Sequence, residues 1–331
     1  MIRIFSLLVL ACLLMSGGPD TFTEYAPINF KVVKLSNGVF ACIHREGGRA
    51  IGNAGIIDNG EATIIFDSFL SPAATKELIS LVEQMKLSPI KYVVNSHAHS
   101  DHIRGNQCFA ADVKIFSTQA CAANMAADEA KSISEETEYG AQQFTYYDSL
   151  SKAFQGSKES KEYHRIQQMK PYYDELAKSY RTIKTRVPDN FVSGEKNVDG
   201  SKHKVRLLEK GKGHTNGDLI LYLPDEGILF SGDLVINQTH PYLGDGYLSE
   251  WKQCLKDMQG MKIESLVPGH GNVCGKEGIS GMLEYIRTLE GLCRNVKQES
   301  ELEKISIPDA YDTWPLEDFF VGNLKKIYKE K

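Results

Sequence analysis

The sequence predicts an α/β protein. Three observations carry that reading: a meander of strand-like runs from Phe30, a helix-period segment opened by Ser71-Pro72, and a second set of strand-like runs from Val205 that follows a long helical stretch. Lys31 to Leu35 is followed by the turn Ser36-Asn37-Gly38 and then by Val39 to His44. Ala54 to Ile57 and Ala62 to Phe66 flank Asp58-Asn59-Gly60, a hairpin signal because Asn-Gly accepts the positive φ that tight turns need. Ser71 then offers an N-cap hydroxyl and Pro72 a first helical residue without an N–H to satisfy; Leu78, Leu81, Val82 and Met85 share one face of the helix. Tyr92 to Val94 and Val113 to Phe116 read as short apolar strands. Residues 122–190 are polar, with Ile166, Met169, Tyr173, Leu176, Tyr180 and Ile183 at helical spacing around Pro171, which predicts a helix or helix pair inserted in the core domain. Strands resume at Val205 to Leu208, Leu219 to Leu223, Ile228 to Ser231 and Ser265 to Val267, and the charged and aromatic tail predicts a helix or arm docked on the core.

The chain has 331 residues, 24% of them charged and 42% hydrophobic, with a formal net charge of −5. That composition belongs to a folded globular protein, and its sign argues against a nucleic-acid partner, which calls for a basic footprint. Met1 to Arg3, the apolar run Ile4 to Met15 and the small residues Ser16 to Gly18 read as a secretory leader over residues 1–18, too short to span a bilayer. Val9-Leu10-Ala11-Cys12 also resembles a bacterial lipobox with Cys12 as the acylated residue. The expected location is therefore exported: periplasmic, secreted or lipid-anchored at the outer face of a membrane. None of the seven cysteines forms a C-x-x-C pair, and the six beyond the leader admit either disulfides or buried thiols.

The chemistry concentrates where a strand ends. Asn95 to His102 holds His97, His99, Asp101 and His102 within six residues. Imidazole and carboxylate suit zinc or iron, and two histidines two apart in an extended segment point the same way. Further polar clusters follow at strand ends in the second half: Gly213-His214-Thr215-Asn216-Gly217-Asp218, Phe230-Ser231-Gly232-Asp233 and Pro268-Gly269-His270-Gly271.

These four motifs, in this order, resemble the metallo-β-lactamase superfamily over about residues 30 to 290. The resemblance implies a four-layer αβ/βα sandwich with a two-metal site at one edge of the sheets. Carried over residue by residue, it gives His97, His99 and His214 to a first metal and Asp101, His102 and His270 to a second, with Asp233 bridging. It implies two zinc ions per chain, iron or manganese being compatible with the same donors. The activity implied is hydrolysis of an ester, thioester, lactone or amide carbonyl by a dizinc-bridged hydroxide, with Asp101 orienting the nucleophile and passing a proton to the leaving group. The ligand set is similar to that of glyoxalase II and the acyl-homoserine lactonases, and Asn237 to Trp251 looks like the corresponding segment of exported hydrolases of the family. In the typical zinc β-lactamases a cysteine stands where Asp233 stands and a cation stands three residues later, where this chain has Ile236. A β-lactamase is thus one alternative, and a mononuclear iron dioxygenase acting on sulfur compounds is another. The expected organisation is the leader, a sandwich over 29–294 with an insertion at about 122–190, and an extension over 295–331. Tyr242 and Tyr247 are expected at the substrate, Asp218 is expected to fix an imidazole tautomer, and Gly47-Gly48 marks a loop near the site. A small-molecule substrate is the expected partner.

Overall fold

A computed structural model describes residues 26–331, so the expected leader and Cys12 lie outside the described residues. The first half builds one sheet. Strands β1 (Phe30–Ser36), β2 (Val39–His44), β3 (Ala54–Asp58) and β4 (Thr63–Phe66) form an antiparallel meander. Its first turn closes through Gly38 at φ 79°. Helix α1 (Pro72–Gln84) carries the chain back so that β5 (Ile90–Val94) lies parallel to β4. Ser71 caps that helix, its Oγ accepting from the Ala73 amide at 3.2 Å. A short helix, α2 (Ser100–Ile103), follows β5, and β6 (Lys114–Ser117) adds to the sheet in parallel.

A long helical hairpin, α3 (Gln119–Ala153) and α4 (Lys161–Thr182), interrupts the sheet before the two-residue β7 (Asn190–Phe191) completes it. Helix α4 runs through Pro171 without ending. An interior proline forfeits one backbone hydrogen bond, at about 3 kcal/mol. Ile166, Met169, Tyr173 and Leu176 on both sides of it are buried against Tyr147 of α3, and that packing holds the helix across the defect. Gly140 of α3 faces Leu176 so closely that a Cβ there would sit 2.6 Å from the leucine Cβ.

The second sheet has the order β12-β11-β10-β9-β8. Its strands are β8 (Glu195–Asn197), β9 (Arg206–Gly211), β10 (Asp218–Leu223), β11 (Ile228–Phe230) and β12 (Ser265–Val267). Helix α5 (Leu248–Gln259) makes the crossover between the parallel pair β11 and β12; α6 (Glu277–Cys293) and α7 (Phe319–Glu330) follow.

Period-two burial sorts the side chains into layers. Ile57, Ile64, Phe66, Leu219, Leu221 and Phe230 meet between the two sheets. Their neighbours Ile56 and Ile65 face the other way and pack on Leu78, Leu81 and Val82 of α1. Ile220 and Leu229 likewise leave the sheet interface to pack against Trp251 and Leu255 of α5 and Tyr285 and Leu289 of α6. The result is helix, sheet, sheet, helix, the four-layer sandwich expected. Each fully buried Leu or Ile contributes about 1.5–3 kcal/mol. In the extension, Leu302, Phe320, Leu324 and Ile327 join the same outer core. Asn323 holds the loop after β11 by accepting from the Leu243 amide and donating to the Pro241 carbonyl. The six described cysteines are free thiols, so the disulfide alternative does not arise among them. No described helix is long and apolar enough to cross a membrane.

Candidate metal centre

Every motif singled out in the sequence lies at one edge of the sandwich, because each follows the end of a strand there. His97 lies in the bend that follows β5, His99 is extended at the N-cap of α2, and Asp101 and His102 sit in the first turn of α2. His214 lies between β9 and β10, and Asp233 sits in a 3-10 turn directly after β11. His270 follows β12 and is tied to Ile236 by a β-bridge. Asn53 staples the two sheets at this edge, its side-chain amide donating to the Pro268 and Gly271 carbonyls at 2.9 Å each.

Two groups of donor atoms result. One from each of His97, His99, His214 and Asp233 lie within 4.8 Å of one another, as do those of Asp101, His102 and His270. Asp233 joins the groups: its carboxylate oxygens lie 3.1 Å from His102 Nε2, 3.4 Å from His270 Nε2 and 3.5 Å from His214 Nε2. Asp101 Oδ2 is 3.2 Å from His270 Nε2. His97 Nε2, His102 Nε2 and Asp233 Oδ1 are buried with no hydrogen-bond partner. Buried polar atoms without partners are costly, and several converging on one spot are what a cation would satisfy. The donor set, imidazole with carboxylate, fits zinc or iron.

The tautomers follow from partners behind the rings. Asp67 accepts from the Ser96 amide and Ser96 Oγ at 2.7 Å each, and His102 Nδ1 lies 2.9 Å from the same carboxylate. Ser96 Oγ, its proton given to Asp67, accepts from His97 Nδ1 at 2.9 Å. In their neutral form both rings therefore turn an Nε2 lone pair to the site. His99 is held the other way round: Nε2 donates to Asp245 at 3.0 Å, leaving Nδ1 toward His214 Nε2 at 2.9 Å. Asp218 does not serve a ring. It accepts from the Thr215 amide and hydroxyl and fixes the turn that carries His214, and burial raises its carboxyl to about 7. Asp67 and Asp245 are the orienting carboxylates that sequence reading missed. Asp67 had a signal, since a carboxylate ends the buried run Ile64 to Phe66, and it adopts a left-handed φ of 61°.

The electrostatics are those of a site that gathers positive charge. Burial pulls His270 down, but Asp233 and Asp101 outweigh it and raise the ring to about 10. His102 rises for the same reason, with Asp67 adding to it. Burial dominates at His97 and lowers it, and takes His214 down to about 3. Asp233 and Asp101 are held below the usual carboxylate range by His102 and His270 despite their burial.

The donors open into a cavity of about 1080 Å³, walled by the site loops, α3, α4 and residues 313–319. Tyr242 lines it, its ring 5.9 Å from that of His99. Tyr247 does not; its ring lies beneath the Lys212 ammonium at the start of α5. Glu46, beside Gly47-Gly48, lines the cavity and pairs with His164. His240 also lines it but is committed to Tyr285, with Nδ1 2.9 Å from the hydroxyl.

A family model described as the metallo-beta-lactamase superfamily matches residues 47–115 and 130–270. A metallo-beta-lactamase type 2 from Bacillus sp. (strain 170) is 25% identical over 238 residues, 70% of this chain and 71% of that one. One from Bacillus cereus is 24% identical over 270 residues, 76% of this chain and 84% of that one. The solved metallo-beta-lactamase from Pontibacter korlensis superposes with a TM-score of 0.55 at 18% identity, over 77% of this chain and 97% of its own. The metallo-beta-lactamase FIM-1 from Pseudomonas aeruginosa, solved in its mono-zinc form, gives 0.52 at 15% identity, over 78% and 94%. With the motif order, the four layers and the clustered donors, these matches identify the chain as a member of the metallo-beta-lactamase superfamily and a metal-dependent hydrolase of that fold.

Proposed function

We propose that this chain hydrolyses an ester, thioester, lactone or amide of a small molecule at a two-zinc centre. His97, His99 and His214 would hold one ion and Asp101, His102 and His270 the other, with Asp233 between them. The observation that carries the reading is the convergence of seven donors on two adjacent points, with orphaned atoms of His97, His102 and Asp233 turned inward. Divalent cations bound there would supply Lewis acidity, lowering the pKa of bound water toward about 7 and polarising the acyl oxygen.

The chain's own residues supply orientation and proton transfer. Asp67, through Ser96 and directly, makes Nδ1 the protonated nitrogen of the neutral His97 and His102 rings, so that Nε2 is the atom each would offer a cation. Asp245 likewise makes Nε2 the protonated nitrogen of the neutral His99 ring, which leaves Nδ1 to offer. Asp101, partly exposed to the cavity, is the group able to take a proton from the attacking water and return it to the leaving alcohol, thiol or amine. The acyl bond to the leaving atom breaks, the water oxygen bonds the carbonyl carbon, and a carboxylic acid is released.

A β-lactamase is the second reading, favoured by the names of the relatives. Against it stand Asp233 and the apolar, buried Ile236. A panel of a β-lactam, a lactone and a thioester on the metal-loaded protein, with metal analysis, tests both. Two zinc per chain with turnover of the lactone or thioester supports the proposal. Preferential β-lactam turnover supports the second reading, and one iron with oxygen uptake overturns both. Export, expected from the leader, belongs to the same proposal; signal-sequence cleavage in a cell fractionation checks it.

A further inference from the structure

We propose that the cavity selects acyl substrates whose body is neutral or cationic and rejects those carrying a second, anionic group. The inference rests on the hydrolase reading and deepens it. Ten Asp and Glu line the cavity against two Lys and Arg. Asp101 and Asp233 belong to the metal centre, and Arg104 behind the wall offsets part of Glu129 and Glu136. Even two divalent cations would leave the wall acidic.

The two cations at the wall are already committed. Lys161 donates to the Asp312 carbonyl and pairs with its carboxylate at 3.0 Å. Arg165 Nη2 donates to both oxygens of Asp318, at 2.6 and 2.9 Å, and its Nη1 lies 3.5 Å from Glu317. A substrate carboxylate would have to displace these partners. It would also approach Glu159 and Glu162, which form no ion pair among the described residues. Ile236, buried three residues after Asp233, makes that part of the wall apolar. The remaining surface is aromatic and aliphatic, with Tyr172, Tyr242, Trp314 and Phe319 among the lining residues, and aromatic faces attract cations and repel anions. The same field expels the product, because hydrolysis turns a neutral acyl group into a carboxylate inside an acidic wall.

The test uses 4-nitrophenyl esters of equal-length acids ending in methyl, trimethylammonium or carboxylate, at low and high salt on the metal-loaded full chain. The expected kcat/KM for the carboxylate-ended ester is at least about tenfold below that of the other two, narrowing as salt screens the wall. The exposed pair Glu159→Lys and Glu162→Lys should narrow the gap further. Binding of the matching anilides, followed by tryptophan fluorescence with and without metal, should give the same order. Equal or better use of the carboxylate-ended ester overturns the selectivity. If no ester is cleaved, the hydrolase reading fails, and the anilide binding order still decides this one.

Discussion

Arg104→Met should destabilise the protein in a way that depends on pH. Arg104 stands two residues after His102 and is 3% exposed. Its guanidinium donates to Glu129 at 3.0 Å and to Ser179 at 2.9 Å, and it pairs with Glu136 at 2.7 Å, so one side chain joins the metal loop to both insertion helices. Methionine keeps most of the volume and removes the charge, leaving a buried carboxylate uncompensated, which costs about 3–5 kcal/mol. Burial already raises Glu129 and Glu136 above the usual carboxylate range while Arg104 opposes it. Without Arg104 both rise further, and the folded variant binds more protons than the unfolded chain at neutral pH. Its stability is then greatest below the ordinary carboxylate pKa and falls as pH rises. The deficit against the parent should be largest near pH 8 and shrink toward pH 5. Urea unfolding of both metal-free proteins across that range measures it, the ligand protonations being common to the two. Adding Glu129→Gln and Glu136→Gln should recover most of the loss. A deficit under about 1 kcal/mol, or one unchanged by pH, would refute the charge argument.

Four other outcomes are expected. Asp67→Asn should keep the fold but weaken metal binding by about 10–100-fold in a chelator competition, because the His97 and His102 tautomers lose their common anchor; unchanged affinity would remove that role. Gly269→Ala should abolish metal uptake, since a Cβ there overlaps Asp233 Oδ1 and lies 2.8 Å from the Asp233 amide; a variant with full metal content would contradict that packing. Asp101→Asn should lower kcat by about 10²–10⁴-fold at matched metal content, and normal turnover would sink its proton-transfer role. Metal uptake at pH 7 should release protons, because His270, raised to about 10, is charged without metal; calorimetry in buffers of different ionisation enthalpy reads it, and zero release contradicts it.

The donors were legible in the sequence because each sits in a local motif at a strand end. Strand direction and the period of two bring those ends to one edge, so His97, His214, Asp233 and His270 can be gathered without knowing any contact. The groups that orient the donors have no such signature. Asp67 lies 35 positions from His102 and Asp245 lies 146 from His99, and only the folded chain shows that they meet. The two- and three-residue strands β7 and β8 escaped for another reason: they are short and largely exposed, and ladder pairing with β6 and β9 rather than burial makes them strands. The sequence left a helix or a helix pair around Pro171, and α4 is a single helix there because contacts with α3 outweigh a local defect.

The insertion shows why specificity is harder to read than chemistry. Its apolar spacing announced helices that must pack on something, and the packing of Tyr147 on Tyr173 and Leu176 answers that. The same two helices carry Glu129 and Glu136 on α3, and Lys161, Glu162 and Arg165 on α4, ordinary charged residues in one dimension. Folding brings them beside the metal loop, where Arg104 meets the first two carboxylates and residues 312–318 meet the two cations. Each cation neutralised by its own chain is one no longer offered to a substrate. Which cations remain free at the wall is therefore set by pairings between segments about 150 residues apart, and no count of charges along the sequence shows those pairings.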